Sequence, residues 1–236
     1  MLENKMKPIS EGDSEFICDI QAPCFQTLTP EETELIKAGK TQVLFRKGDN
    51  LTKQGAFASY VLFMIKGVAR QYVEGDNNKT YNLKIISPGE FIGLSSVFNK
   101  NTFTYSSVAL TDSHVFLIEK DVIAKVVKSS GGFAYNIIRR YCEANDRLYK
   151  NLNMVVFKQM NGRLAETLLY LNSFRRTFPD IFKMLSRKEI ADFAGISTES
   201  TVKLLKSLEV EKVVSLVEKD IIITDEAKLV VISKNG

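Results

Sequence analysis

The 236-residue chain holds one histidine, His114, and three cysteines, Cys18, Cys24 and Cys142. A Ser/His/acid triad or a multi-histidine metal site would rest on that single imidazole, which sits in the strand-like run His114–Ile118. No catalytic set, metal site or cofactor is therefore expected. The thiols are too few and too unevenly spaced for a disulfide framework, and redox sensing by Cys18 and Cys24 stays open beside ordinary buried thiols. A different chemistry is legible near the carboxyl end. Ser197, Thr198, Glu199, Ser200, Val202 and Lys203 crowd hydroxyl, carboxylate and ammonium groups into a short segment. Glu199 can accept from a cytosine amino group, and Lys203 can donate to guanine acceptors or a phosphate. Val202 is available to a thymine methyl or to the interior. Ser186 and Arg187 suit backbone phosphates. Arg175 and Arg176 read equally as phosphate contacts or as a solvated pair.

Those side chains need two helices and a tight turn to position them. Ser186 with Glu189 three residues on forms a capping box that opens the first helix. Ile190, Ala191 and Ala194 supply its inward face, and Ala191 is small because the helices must cross closely there. Gly195 stands where the backbone turns left-handed, Ile196 plugs the interior, and Ser197 caps a second helix lined by Leu204, Leu205 and Leu208. This is a helix-turn-helix pattern. Val213–Val217, Glu218-Lys219-Asp220 and Ile221–Thr224 read as a β-wing behind it.

Upstream, Asn161-Gly162 suggests a hinge before a helix carrying Leu164, Leu168 and Leu171. Ile137, Tyr141, Ala144, Leu148, Leu152 and Val155 trace one face of a helix of roughly 25 residues, with no proline before Pro179. Such a seam packs against its own copy in a dimer or lies on the neighbouring domain. Between about residues 25 and 125, seven of the 13 glycines separate short β-branched and aromatic runs, as in an antiparallel sandwich or barrel. The turns Gly75–Asn78 and Pro88-Gly89 fit that pattern. Apolar residues make up 44% and charged residues 25%, a globular mixture that excludes a disordered or fibrous chain. No apolar run is long enough for a membrane span, and Met1–Glu15 lacks the apolar centre of a secretory signal, so a cytoplasmic protein is expected. A net charge of +4 neither demands nor excludes a polyanionic partner.

Phe45-Arg-Lys-Gly48-Asp49, Ile65-Lys-Gly67-Val68, Pro88-Gly89-Glu90-Phe91-Ile92-Gly93, Gly162–Leu169 and Arg187–Glu199 together resemble the family of the bacterial cyclic AMP receptor protein and the fumarate–nitrate reduction regulator, over residues 25 to 232. The resemblance implies an α+β chain. An N-terminal double-stranded β-helix (a cupin-like jelly roll) would serve as sensor over residues 1–126. A long dimerisation helix and hinge would span 127–160, and a winged helix-turn-helix 161–236. It also implies a homodimer on a palindromic operator, contact with RNA polymerase, and a small effector in the β domain whose binding shifts the dimer between two arrangements.

Thr198, Glu199 and Lys203 fall at the family's base-reading positions, with Thr198 and Lys203 where arginine is usual. The effector pocket departs further. Around Phe91, Gly93 and Ser95, Leu94 replaces a ribose-binding glutamate. Thr104 and Tyr105 replace the arginine and serine that meet the cyclic phosphate, and Leu148 and Tyr149 replace the small hydroxyl residues that meet the purine. A buried phosphate without a cation is costly, so cyclic AMP is not expected to bind tightly. The pocket is either reshaped for something more apolar or filled by side chains. The rival reading is a small-molecule or redox sensor acting through protein contacts, its DNA head vestigial. Basic residues around that head oppose it.

Overall fold

The computed structural model describes residues 7–9, 25–99 and 101–236, so Cys18 and Cys24 lie outside the described residues. The chain groups into two compact units, residues 1–78 with 84–145, and residues 79–83 with 146–236.

The first unit stacks two antiparallel sheets. One has the order β1 (Lys7–Ile9), β2 (Lys40–Phe45), β9 (Ser113–Glu119), β4 (Tyr60–Lys66) and β7 (Phe91–Ile92). The other runs β3 (Asn50–Thr52), β8 (Ser106–Ala109), β5 (Ala69–Glu74) and β6 (Thr80–Ile86), of which only the part from Lys84 belongs to this unit. Alternation along the strands divides their apolar side chains between two cores. Leu62 and Met64 of β4 join Val43, Phe45, Ile92 and Val115 with Leu51, Ala69, Ile86 and Ala109 of the second sheet. Val61 and Phe63 of the same strand join Phe116 and Ile118 on the opposite face. That face is covered by helices α1 (Pro30–Ala38), α2 (Ser95–Phe98) and α3 (Lys120–Ser129) and by the start of α4 (Gly131–Phe157), through Ile36, Val97, Val122, Ile123, Val126, Phe133 and Ile137. The glycine-separated β-branched and aromatic runs expected between about residues 25 and 125 form strands β2, β4, β5, β6, β8 and β9. The short strands β3 and β7 carry too little periodicity to be anticipated. Helix α1 was also not anticipated, although Thr29 and Glu32 form a capping box around Pro30.

Helix α4 is a single helix of 27 residues, about 40 Å long at 1.5 Å per residue. Ile137, expected on its exposed seam, is buried at 3% exposure in the first unit's core. The rest of that face stays largely open to solvent, through Tyr141, Leu148 and Leu152, with Ile138 exposed beside it. Asn161-Gly162, expected from sequence as a hinge, lies within a helix instead. Helix α4 stops at Phe157, and Gly162 lies buried inside α5 (Met160–Asn172). A Cβ on Gly162 would collide with the Gly236 carbonyl oxygen, so glycine here lets the end of α9 (Glu226–Asn235) approach α5.

The second unit also contains α6 (Ile181–Met184), α7 (Arg187–Ala194), α8 (Thr198–Val210) and the hairpin β10–β11 (Val214–Val217, Asp220–Ile223). Leu164, Leu168 and Leu171 of α5 form its centre with Phe182, Ile190, Phe193, Leu205, Val213, Ile221 and Leu229.

Candidate nucleic-acid interface

The geometry begins with two caps. The Ser186 hydroxyl accepts from the Glu189 N–H at 3.2 Å, and the Glu189 carboxylate accepts from the Ser186 N–H at 2.7 Å, opening α7. Gly195 ends α7 at φ 63°, ψ 37°, a left-handed cap that an L side chain adopts only with strain. Two residues later the Ser197 hydroxyl accepts from the Ser200 N–H at 3.0 Å and opens α8. Thr201, Leu205 and Leu208 of α8 are buried, and Ala191 of α7 is 1% exposed where the helices pack. The face left outward carries Ser197, Thr198, Glu199, Val202 and Lys203, with Ser200 half-buried behind them. Val202 therefore points away from the interior. Lys203 and Glu199 pair at 2.8 Å while both side chains stay about three-quarters exposed (74% and 78%), so the pair is weak and opens at small cost.

The wing is locked by contacts that residue spacing did not reveal. Val217 pairs with Asp220, leaving Glu218-Lys219 as a two-residue turn with Glu218 at φ 53°. Arg175, read from sequence as a phosphate contact or a solvated charge, is engaged within the protein. Its guanidinium donates to Asp220 at 2.7 and 3.3 Å and to the Ile221 carbonyl at 2.7 Å, with Phe182 beneath it. Burial pushes the Asp220 carboxyl up. Hydrogen bonds from Arg175 and the Ile221 N–H outweigh that and hold it below the usual carboxylate range. Arg187 is half-buried and donates to the Lys219 carbonyl at 3.4 Å, so it braces the wing turn while remaining at the start of α7. Burial lowers its pKa.

In the first unit the cradle around Gly93 is filled from within. Gly93 adopts φ 77°, and a Cβ there would lie 2.5 Å from the Phe103 ring. Its N–H donates to the Tyr105 hydroxyl at 2.7 Å. That hydroxyl is enclosed, and burial pushes its pKa up to about 12. Leu94 belongs to the core with Phe63 and Phe116, and Phe91 packs its ring against Phe25 and Phe63. Ser95 is half-buried, and Thr104 is exposed. Leu148 and Tyr149 are exposed on α4, in the second unit. The nearby Lys84 is paired with Glu90.

His114 is buried in β9, its Nδ1 3.5 Å from the Gln42 amide nitrogen, and Cys142 is an exposed free thiol. Among the described residues no group of His, Cys, Asp and Glu could hold a metal ion, and no helix is long and apolar enough to cross a membrane.

Comparisons with known proteins agree with this architecture. Residues 42–130 match the cyclic nucleotide-binding domain family, and residues 162–232 match the Crp-like helix-turn-helix domain family. The chain is 25% identical over 199 residues to the cyclic AMP receptor protein of Thermus thermophilus, covering 83% of this chain and 89% of that one. It is 23% identical over 216 residues to a CRP-like cAMP-activated global transcriptional regulator of Mycobacterium tuberculosis, covering 89% and 95%. Among solved structures, FixK2 from Bradyrhizobium japonicum superposes with TM-score 0.71 at 18% identity, over 82% of this chain and 96% of that one. A CRP-family transcriptional regulator from Thermus thermophilus gives 0.68 at 18%, over 82% and 97%. A sensor-type β domain followed by a capped helix pair and wing, matched by both domain families in this order, places the chain among the CRP/FNR-family DNA-binding transcription regulators, which are not enzymes.

Proposed function

We propose that this chain works in the cytoplasm as a homodimer that binds a palindromic operator through α8. A small effector in the β domain other than cyclic AMP sets its DNA affinity, and contact with RNA polymerase follows operator binding. The observation that carries the reading is the outward face of α8. Thr198, Glu199 and Lys203 stand together at the leading end of a helix whose other side is committed to the core, beside a wing braced by Arg175 and Asp220. Polar residues at that end of a second helix suit the edges of bases in the major groove. The test is a gel-shift selection from random duplex DNA, repeated across a salt series. For DNA binding the logarithm of the association constant falls linearly with the logarithm of salt concentration, whereas a head without DNA function gives no enriched sequence.

The Gly93 cradle supports the choice against cyclic AMP. Its amide is already used by Tyr105, and the position where related proteins carry a cation holds exposed Thr104. A cyclic phosphate would have to displace the phenol and enter without a counter-charge. Calorimetry with micromolar cyclic AMP should give no saturable isotherm, and a clear one overturns this part of the reading.

A further inference from the structure

Helix α4 carries a charge distribution that its length alone does not require. With Ile138 placed at heptad position a, Asn145 and Leu152 take the next two a positions. Tyr141, Leu148 and Val155 then fall at d, Cys142, Tyr149 and Val156 at e, and Ile137, Ala144 and Asn151 at g. Every charged residue from Arg139 to Lys150 (Arg139, Arg140, Glu143, Asp146, Arg147, Lys150) falls at b, c or f. On the a, d and e stripe most large apolar side chains are exposed, with Ile138 and Leu152 at 60%, Tyr149 at 62% and Val156 at 56%, while Val155 is half-buried. In the first unit this stripe borders an open apolar cleft of ≈ 530 Å³ lined by Phe98, Val127, Ile138, Tyr141, Cys142 and Asn145. A three-heptad stripe cleared of charge and interrupted by a single central amide fits a second copy of the same helix. Only an identical partner, parallel and in register, sets Asn145 opposite Asn145, so that each amide can donate to and accept from the other.

We infer that Asn145 fixes the parallel register and two-chain state of the α4 seam through a reciprocal amide pair across the dimer axis. This rests on the homodimer reading and assigns its specificity to one residue. A buried polar residue at a single a position lowers stability while excluding offset and higher-order pairings. Asn145 is exposed in the single chain, so substitutions there leave the protomer's own core untouched.

The experiment is sedimentation equilibrium of the full chain at pH 7.5 for wild type, Asn145→Leu, Asn145→Asp and, at an outer f position, Glu143→Gln. Asn145→Leu should tighten association at least tenfold and add species heavier than a dimer. Asn145→Asp, which sets two carboxylates together, should weaken it at least tenfold, and Glu143→Gln should stay within twofold of wild type. If both Asn145 variants keep the wild-type dissociation constant within twofold, the Asn145 assignment falls and the dimer stands. Wild-type protein that stays monomeric at 100 μM, a concentration set for the assay on the order of the upper micromolar range, removes the dimer reading itself.

Discussion

Lys203 and Tyr105 show how one side chain can decide what a site accepts. Lys203 stands exposed on the leading half of α8, held only by a solvent-screened pair with Glu199. Lysine is a point charge without the planar fork that grips guanine bidentately, so under the proposed operator reading Lys203 should discriminate less than an arginine there. Lys203→Ala should weaken operator binding by about 1–3 kcal/mol if it meets a base, with discrimination lost at one position; a uniform loss across sequences marks a phosphate contact instead. Titration of labelled operator variants reads the difference. Tyr105 acts in the opposite direction, closing a site. Tyr105→Phe keeps the ring and removes the acceptor of the buried Gly93 N–H, which should cost about 1–3 kcal/mol in chemical denaturation. Because burial favours the protonated phenol, its contribution is complete below the ordinary tyrosine pKa of about 10 and fades as pH approaches its raised value.

The recognition helix and its wing depend on contacts of unequal visibility in the chain. Helix α7, its left-handed stop at Gly195 and the cap of α8 were readable because each is a local backbone requirement met by a particular residue type: Ser186 with Glu189, Gly195, Ser197. The Arg175–Asp220 lock was not readable, since its partners are 45 positions apart and each alone resembles a surface charge. The same limit applied to Ile137. A step of three or four residues marks both a buried and an exposed helix face, and only the packing of α4 on the first sheet separates Ile137 from Ile138. The filling of the Gly93 cradle was half visible, because Thr104 and Tyr105 announced a missing cation but not that the Tyr105 hydroxyl turns inward. The lock has a pH signature. Asp220 is held below the usual carboxylate range, so the stability it adds is fully present above about pH 4 and is lost as pH falls through its lower folded value. Thermal melts from neutral pH downward should therefore show wild type losing stability more steeply than Asp220→Asn in the acid limb. Arg175→Ala, which strands a mostly buried carboxylate, should cost roughly 3 kcal/mol at neutral pH.

At the scale of the whole molecule, one head is too small to specify a site alone. On the proposed reading a short stretch of α8 meets only a few base pairs, and each correct contact contributes about 1–3 kcal/mol. In the proposed homodimer, two heads joined through the α4 seam would convert the second contact into an intramolecular event, multiplying affinity without any new chemistry. The gain exists only while both half-sites present the same face of the duplex, about one helical turn apart. Inserting about five base pairs between half-sites of the selected operator rotates one of them to the far side. Affinity should then drop at least tenfold, toward that of an isolated half-site, and the salt slope should shrink because fewer phosphates are neutralised. Inserting about ten base pairs restores the face but lengthens the span beyond one turn, so recovery should be partial and limited by how far the paired heads can separate. An affinity indifferent to the five-base-pair insertion means that each head binds independently, and the seam on α4 then serves something other than operator reading.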